Sequence, residues 1–349
     1  MARATAQGSG SASDLPRGGV APAAAAAAAA PPAAPARRSL ARWRDRVFLL
    51  LGLALLGYVL SRYPLGDIGR ACLRLGPWVA VTPLIALVWF CCNTTALYLL
   101  LDRQVSWWRL LRIRLIGDGY NTLLPLAGLG GEPLKARHLA AFVPVEQAVT
   151  ALIRDRIVEN AVGMLFTSLW LALALGRVVM DARVRAALLV YAGLAAAVGV
   201  AIVLVVLTSL PGRVGNRVAR WLGASDPRTV RLAPAQLARV LCCYLAARIT
   251  GTLEVAALFA LLGLPVEPLT VLFCYSLHHA AGTVSFAIPG SLGVLEGTSV
   301  YLFSVLGYPG PAAVAFALAR RARLLVVGLF GVLLHLVLTG TAHRPRRTA

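Results

Sequence analysis

Charged side chains that interrupt long apolar stretches are the residues of this sequence best suited to bind a ligand. They form three groups: Arg154, Asp155, Arg156 and Glu159; Arg248 and Glu254; and Arg320, Arg321 and Arg323. Asp155 and Glu159 are four residues apart and would share one face of a helix. Because guanidinium groups bind carboxylates and phosphates alike, each group either forms internal salt bridges or binds an anion. The pattern leaves both interpretations open, and a third is that residues 154–159 end a helix with their charges extended toward the membrane surface.

Two segments rich in proline and glycine share one spacing. In each segment a glutamate follows a proline by seven residues, and an arginine follows that glutamate by 24 residues, Arg156 in one copy and Arg320 in the other. The spacing predicts an internal repeat. Breaks in helices expose backbone N–H groups that attract anions, so we expect these segments to bind or gate an anionic group. The candidate residues are Asn121, Pro125, Gly131, Glu132 and Arg137 in the first copy, and Pro289, Gly290, Gly293 and Glu296 in the second.

The composition excludes a water-soluble enzyme. Apolar residues make up 59% of the 349 residues and charged residues 14%, and the mean hydropathy is +0.76. A soluble chain of this kind would expose large apolar patches, so the sequence predicts an integral membrane protein. The net charge of +20 comes from arginines at the ends of apolar stretches, where they set topology and meet anionic lipids. No nucleic-acid-binding motif accompanies them, and we expect no nucleic-acid partner.

Seven apolar stretches are long enough to cross a bilayer as helices. They are 47–63, 77–101, 147–175, 186–210, 235–262, 269–288 and 311–338. Two shorter stretches, 115–127 and 298–308, adjoin the glycine-rich segments and predict half-helices or re-entrant pieces. The predicted fold is an all-α polytopic membrane protein with about 7–8 transmembrane helices plus short re-entrant or broken helices in two inverted repeats.

The arginine-rich flanks orient these spans by the positive-inside rule. Both termini and the basic stretches 102–114 and 211–234 are assigned to the cytoplasm, so 77–101 runs inward and 235–262 runs outward. Span 47–63 is expected to be retained, since no signal-peptidase motif follows it. The domain prediction is a disordered segment 1–40, a transmembrane domain 41–340 with repeats at about 77–175 and 235–338, and a basic cytoplasmic tail 341–349.

Common catalytic and metal-binding patterns are missing from the sequence. The adjacent histidines His278 and His279 point about 100° apart on a helix and cannot chelate as a pair four residues apart would. The sequence contains no HExxH, GxSxG or P-loop motif, and the six cysteines have no CxxC spacing. We therefore expect no metal, no cofactor, no catalytic residue and no enzymatic activity.

Residues 288–297, which read I-P-G-S-L-G-V-L-E-G, resemble the transmembrane domain of the lysylphosphatidylglycerol synthase/flippase family. Its pattern is close to P-G-G-L-G-x-x-E, and Asn121 to Arg137 is similar to its other signature. The resemblance covers roughly 45–340 and implies an eight-helix-like domain that moves or positions a lipid. Within the family it is similar to stand-alone members without the soluble aminoacyl-transferase domain, so aminoacyl transfer is not carried over. Ser291 stands where the family has glycine, and Leu295 where arginine is common.

The leading hypothesis is a flippase-like lipid transporter of the bacterial cytoplasmic (inner) membrane. Its partners would be membrane lipids with an anionic headgroup, namely a phospholipid, a polyprenyl-linked lipid or a glycolipid. One alternative is a non-transporting membrane partner of a lipid or glycan biosynthesis enzyme. Another is an intramembrane transferase, which is disfavoured because the predicted outer loops offer only scattered acids, Asp67, Asp181 and Glu267.

Overall fold

The computed structural model describes residues 64–123, 130–207, 232–285, 288 and 291–342. Every regular element within these ranges is helical, as the composition predicts, and ten α-helices follow one another with one short 3₁₀ helix, Gly76–Ala80. They are α1 Leu65–Leu75, α2 Val81–Leu100, α3 Trp107–Leu123, α4 Glu132–Leu139, α5 Val145–Leu175, α6 Ala182–Leu207, α7 Pro234–Leu261, α8 Pro268–Val284, α9 Val294–Val305 and α10 Gly310–Ala342.

Five of the described helices are long and apolar enough to cross a membrane, namely α2, α5, α6, α7 and α10. Each has at least 20 residues, which at about 1.5 Å per residue reaches across the roughly 30 Å hydrocarbon core. They correspond to the predicted spans 77–101, 147–175, 186–210, 235–262 and 311–338. The protein is therefore a multi-pass membrane protein. The predicted span 47–63 and most of the basic stretch 211–234 lie outside the described residues.

Two predicted boundaries differ from the structure. The expected span 269–288 is α8, which has 17 residues and ends at Val284, ahead of the second glycine-rich segment. The short helix expected over 115–127 begins earlier, at Trp107, within the basic stretch 102–114. A tight turn at Asp102 and Arg103, both with positive φ, takes the chain from α2 into α3. Arg109, Arg112 and Arg114 of that basic stretch consequently lie on a helix that packs against α10.

The helices α2–α5 and α7–α10 follow the same order of one long, one 17-residue, one short and one long helix. Their packing is crossed: α3 packs along α10, α8 packs along α5, and α2 packs along α7. The helix before each set is crossed in the same way. α1, which precedes the first set, packs on α10 of the second set, and α6, which precedes the second set, packs on α5 of the first. Neither set of four forms a separate bundle, because the second helix of each set packs against the fourth helix of the other.

Glycines allow α3 and α10 to approach to backbone contact. A Cβ atom on Gly119 would lie 2.8 Å from the carbonyl oxygen of Gly328 and 3.1 Å from the Cα of Gly331. A Cβ atom on Gly331 would overlap the carbonyl oxygen of Leu115. Small residues let membrane helices pack at such short range. This crossing fixes the polar end of α3 beside the middle of α10.

An aromatic cluster holds α7, α9 and α10 together. The ring centroid of Phe259 lies 5.7 Å from that of Phe303 and 5.9 Å from that of Phe316, and the centroids of Phe303 and Phe316 are 5.4 Å apart. All three side chains are fully buried, and edge-to-face aromatic pairs add to the stabilisation from burial. The cluster fixes the helices that carry Glu254 and Arg320.

Candidate functional site

The first glycine-rich segment ends in a hydrogen-bonded junction between α3 and α4. The N–H of Gly131 donates to Oδ1 of Asn121 at 2.6 Å, and Nδ2 of Asn121 donates to Oε1 of Glu132 at 3.0 Å. A Cβ atom at Gly131 would overlap the carbonyl oxygen of Gly117, so this close approach requires glycine. Asn121 thereby holds Glu132 at the first turn of α4.

Glu132 is part of a dense ion-pair network with α3 and α5. Lys135 donates to Glu132 at 3.0 Å and to Asp118 at 2.5 Å. Arg156 also contacts Glu132, through both Nε and Nη2. Its Nη2 lies 3.9 Å from Asp118 as well, and its Nη1 lies 3.5 Å from Glu159. Arg156 is thus enclosed by three carboxylates.

A second layer of ion pairs lies behind this network, away from solvent. Arg114 binds both oxygens of Asp155, at 2.6 and 2.7 Å, and the hydroxyl of Tyr244 donates to Asp155 at 2.5 Å. Arg248 donates to the backbone carbonyl of Glu159 at 3.0 Å. Asp155 is 2% exposed, so its charge is neutralised inside the protein and is not extended toward the membrane surface. Across both layers, four cations stand against four carboxylates.

The second glycine-rich segment presents a glutamate in a related way. Gly293 adopts φ +76° before α9, and its N–H donates to Oε2 of Glu296 at 2.8 Å. The other oxygen, Oε1, accepts from Nη2 and Nε of Arg321 at 2.6 and 3.0 Å. The pair therefore joins residues 25 apart, whereas the first-copy pair, Glu132 with Arg156, joins residues 24 apart. The second-copy counter-ion is Arg321 rather than Arg320.

The remaining arginines of α10 differ in their partners. Nε of Arg323 lies 3.0 Å from Oε1 of Glu254 on α7, an ion pair without the alignment of a hydrogen bond. Arg320 has no carboxylate within 4.0 Å among the described residues, and its buried Nη1 has no hydrogen-bond partner there. The Arg320 guanidinium lies 5.7 Å from the ring centroid of Phe316.

A cavity of about 590 Å³ lies between the two sets of helices and receives side chains from both. Its polar wall includes Asp118, Asn121, Arg156, Glu254, Glu296, Arg320, Arg321 and Arg323, and its apolar wall includes Ile85, Trp89, Leu324, Leu325 and Val327. Four guanidinium groups against three carboxylates give the wall one net positive charge. Leu325 in the apolar wall is 46% exposed. The arrangement can bind an anionic group at one end and an alkyl chain at the other.

The comparison with known families agrees with this architecture. A family model described as the lysylphosphatidylglycerol synthase TM region matches residues 47–331. The chain belongs to this family. No curated protein and no solved structure matches the chain. The matched region spans every residue that lines the cavity, and membership of the lysylphosphatidylglycerol synthase family indicates a membrane function related to lipids.

Only some of the site residues predicted from the sequence line the cavity of this lysylphosphatidylglycerol synthase family member. Gly131, Glu132, Asp155, Glu159, Arg248 and Gly293 lie behind the wall and support it. Arg137 is exposed on α4, and Arg154 lies within electrostatic range of Asp102; neither lines the cavity. Pro125, Pro289 and Gly290 lie outside the described residues.

The structure adds charged residues that the sequence analysis missed. Asp118 lines the cavity, Lys135 binds it from behind, and Arg114 pairs with Asp155. A usable signal was present, because Asp118 interrupts the apolar stretch 115–127 and Lys135 is a lysine in a chain whose cations are otherwise arginine. Arg114 was missed because its stretch was assigned to the cytoplasm.

The two adjacent histidines also line the cavity. His278 makes hydrogen bonds through Nδ1 to the carbonyl of Cys274 and through Nε2 to Oγ of Ser299, both at 2.8 Å. Nδ1 of His279 lies 3.0 Å from Oγ1 of Thr167. These bonds to α5, α8 and α9 hold the rings in different directions, which is the arrangement that adjacent positions on a helix dictate.

Proposed function

We propose that the protein is a flippase-like lipid transporter of the bacterial cytoplasmic membrane that carries an anionic phospholipid, a polyprenyl-linked lipid or a glycolipid. The observation that carries the proposal is the cavity, with its net positive polar wall and its apolar wall inside a membrane bundle. Membership of the lysylphosphatidylglycerol synthase family supports a lipid as the guest. The protein is proposed to act without a cofactor and without catalysing a reaction.

The shape and chemistry of the cavity suit a lipid headgroup. A volume of about 590 Å³ falls in the roughly 300–1,000 Å³ range of small-molecule sites, which suits a headgroup but not two long acyl chains as well. The acyl chains would extend past Leu325 on α10, an exposed residue of the apolar wall. The headgroup would thereby cross the bilayer inside protein while the chains remain in lipid.

The helix order and the crossed packing support a transporter built from two inverted repeats. Secondary transporters combine such repeats with broken helices that meet near the bilayer midplane at the substrate site. Here the broken segments lie between α3 and α4 and between α8 and α9, and the cavity receives side chains from both sets. With the N-terminus and C-terminus in the cytoplasm, rocking of one set against the other would alternate access to the two leaflets.

Lipid translocation in sealed proteoliposomes tests this function. Fluorescent phosphatidylglycerol and phosphatidylcholine would be followed by chemical quenching from outside, for wild type and for Glu296→Gln. Arg137→Gln is the matched control, because Arg137 is exposed and lies outside the cavity. We expect faster flipping of phosphatidylglycerol by wild type and by the control than by Glu296→Gln. Background flipping by folded wild-type protein with every lipid would reject a transporter and favour a non-transporting partner of a lipid or glycan biosynthesis enzyme.

A further inference from the structure

We infer that Arg320 binds the phosphate of the guest lipid's headgroup, and that this headgroup carries a single net negative charge. The inference rests on the proposed function and identifies the substrate class of its cavity. The argument combines three observations: the partners of the cavity arginines, the charge balance of the wall, and the difference between the two copies of the motif.

Arg320 differs from the other cavity arginines in having no carboxylate partner. Arg156 contacts Glu132, Arg321 contacts Glu296, and Arg323 lies beside Glu254. Among the described residues Arg320 has no such contact, and its buried Nη1 has no hydrogen-bond acceptor. Among the described residues Arg320 is therefore the guanidinium group of the wall that lacks a counter-ion, and an anionic guest in the cavity would supply one.

The charge balance of the wall sets the charge of that acceptor. Three of the four guanidinium groups are matched by the carboxylates near them, which leaves one positive charge at Arg320. Arg320 and Arg323 are three residues apart on α10, and like charges at this spacing destabilise a helix. A phosphodiester carries one negative charge and offers two oxygens in the plane of the guanidinium fork. It would pair with the Arg320 guanidinium and neutralise the wall, whereas a headgroup with a net positive charge would be repelled.

The two copies of the motif place the phosphate at one end of the cavity. Arg156 and Arg320 each follow their motif glutamate by 24 residues, but Arg156 is enclosed by Asp118, Glu132 and Glu159. The first-copy end is therefore already neutral, and the second-copy end holds the unmatched cation. The phosphate is expected beside α10 on the Arg320 side, above the face of Phe316.

Lipid binding measured apart from transport tests the inference. Native mass spectrometry of the purified full chain in detergent would use dihexanoyl-phosphatidylglycerol, dihexanoyl-phosphatidylcholine and glycerol 3-phosphate as probes. The variants are Arg320→Gln, Arg320→Lys, which keeps the charge but loses the fork, and the control Arg137→Gln. We expect wild type and the control to prefer phosphatidylglycerol. Arg320→Gln should lose about ten- to a hundredfold of that affinity and should weaken phosphatidylcholine binding less, because the choline cation already offsets the charge of its phosphate. Arg320→Lys should lose less phosphatidylglycerol affinity than Arg320→Gln.

Each outcome decides one question. Equal binding of phosphatidylglycerol by wild type and Arg320→Gln would overturn the role of Arg320. Equal binding of the two lipids by wild type would overturn the single net negative charge of the headgroup. If glycerol 3-phosphate binds as tightly as phosphatidylglycerol, a lipid headgroup would be rejected in favour of a free phosphate. If Arg320→Gln is not recovered folded, undiminished binding by Arg320→Lys would count against the fork geometry. Arg320-dependent binding without flipping in proteoliposomes would reject the transporter and leave the phosphate site standing.

Discussion

Glu296 joins the start of α9 to the middle of α10, because its Oε1 accepts from both Nη2 and Nε of Arg321, at 2.6 and 3.0 Å. Its other oxygen accepts the N–H of Gly293, so one carboxylate holds the second broken segment against the helix that carries the arginines. In the first copy Glu132 performs the same task between α4 and Arg156 on α5. The two glutamates thereby fix the cavity wall at both of its ends.

We expect Glu296→Gln to destabilise the fold, because it leaves the Arg321 charge without its counter-ion. Removing one partner of a buried ion pair costs about 3–5 kcal/mol, and the lower end applies here because the Arg321 side chain is 19% exposed. Thermal unfolding followed by tryptophan fluorescence would measure the change. The double variant Glu296→Gln/Arg321→Gln should recover part of the loss, and a strictly additive double variant would contradict the pairing.

Ser291→Gly is expected to stabilise the protein. The φ of Ser291, +49°, lies in the left-handed region, where a side chain costs about 1–2 kcal/mol. The hydrogen bond that Ser285 donates to Ser291 at 2.8 Å offsets part of this cost, so we expect a gain of about 0.5–1 kcal/mol in stability. Ser291→Ala separates the two effects, since it loses the hydrogen bond and keeps the strained backbone. A less stable glycine variant would show that the hydrogen bond outweighs the strain.

Gly119→Ala is expected to separate α3 from α10 and to destabilise the protein by about 1–3 kcal/mol. The added Cβ atom would lie 2.8 Å from a backbone oxygen, which cannot move aside as a side chain could. Gly193→Ala on α6 is the matched control, because nothing lies within 4 Å of its Cβ position. Thermal unfolding of the two variants tests the close crossing. Equal stability would argue against backbone contact between the two helices.

The sequence predicted best those features that depend on one segment at a time. Apolar length located the long helices, since a span in lipid must satisfy its own backbone hydrogen bonds. The spacing that predicted the repeat singled out Glu132 and Arg156, and these two residues are in contact between α4 and α5. In the second copy the equivalent spacing leads to Arg320, whereas Glu296 pairs with Arg321. A difference of one residue turns a helical side chain by about 100°, and only the packing of α9 on α10 decides which arginine reaches the glutamate.

Features that depend on distant segments could not be predicted. Arg114 and Asp155 are 41 residues apart, and Tyr244 is 89 residues from Asp155. Nothing in their local sequence indicates that α3, α5 and α7 meet, so the buried pair depends on tertiary packing alone. The same holds for the cavity, whose walls come from both sets of helices.

Glu254→Gln is expected to change which headgroup the cavity prefers, because it releases Arg323 from its carboxylate at 3.0 Å. The net charge of the wall then rises from one to two positive charges, which favours a phosphate monoester over a phosphodiester. The affinity for dihexanoyl-phosphatidic acid relative to that for dihexanoyl-phosphatidylglycerol should increase by about tenfold, because the guest gains one charge-assisted hydrogen bond. Glu146→Gln is the control, because Glu146 is exposed near the start of α5. An unchanged ratio in a folded Glu254→Gln protein would mean that Arg323 does not reach the guest, and that Arg320 alone sets the charge of the headgroup.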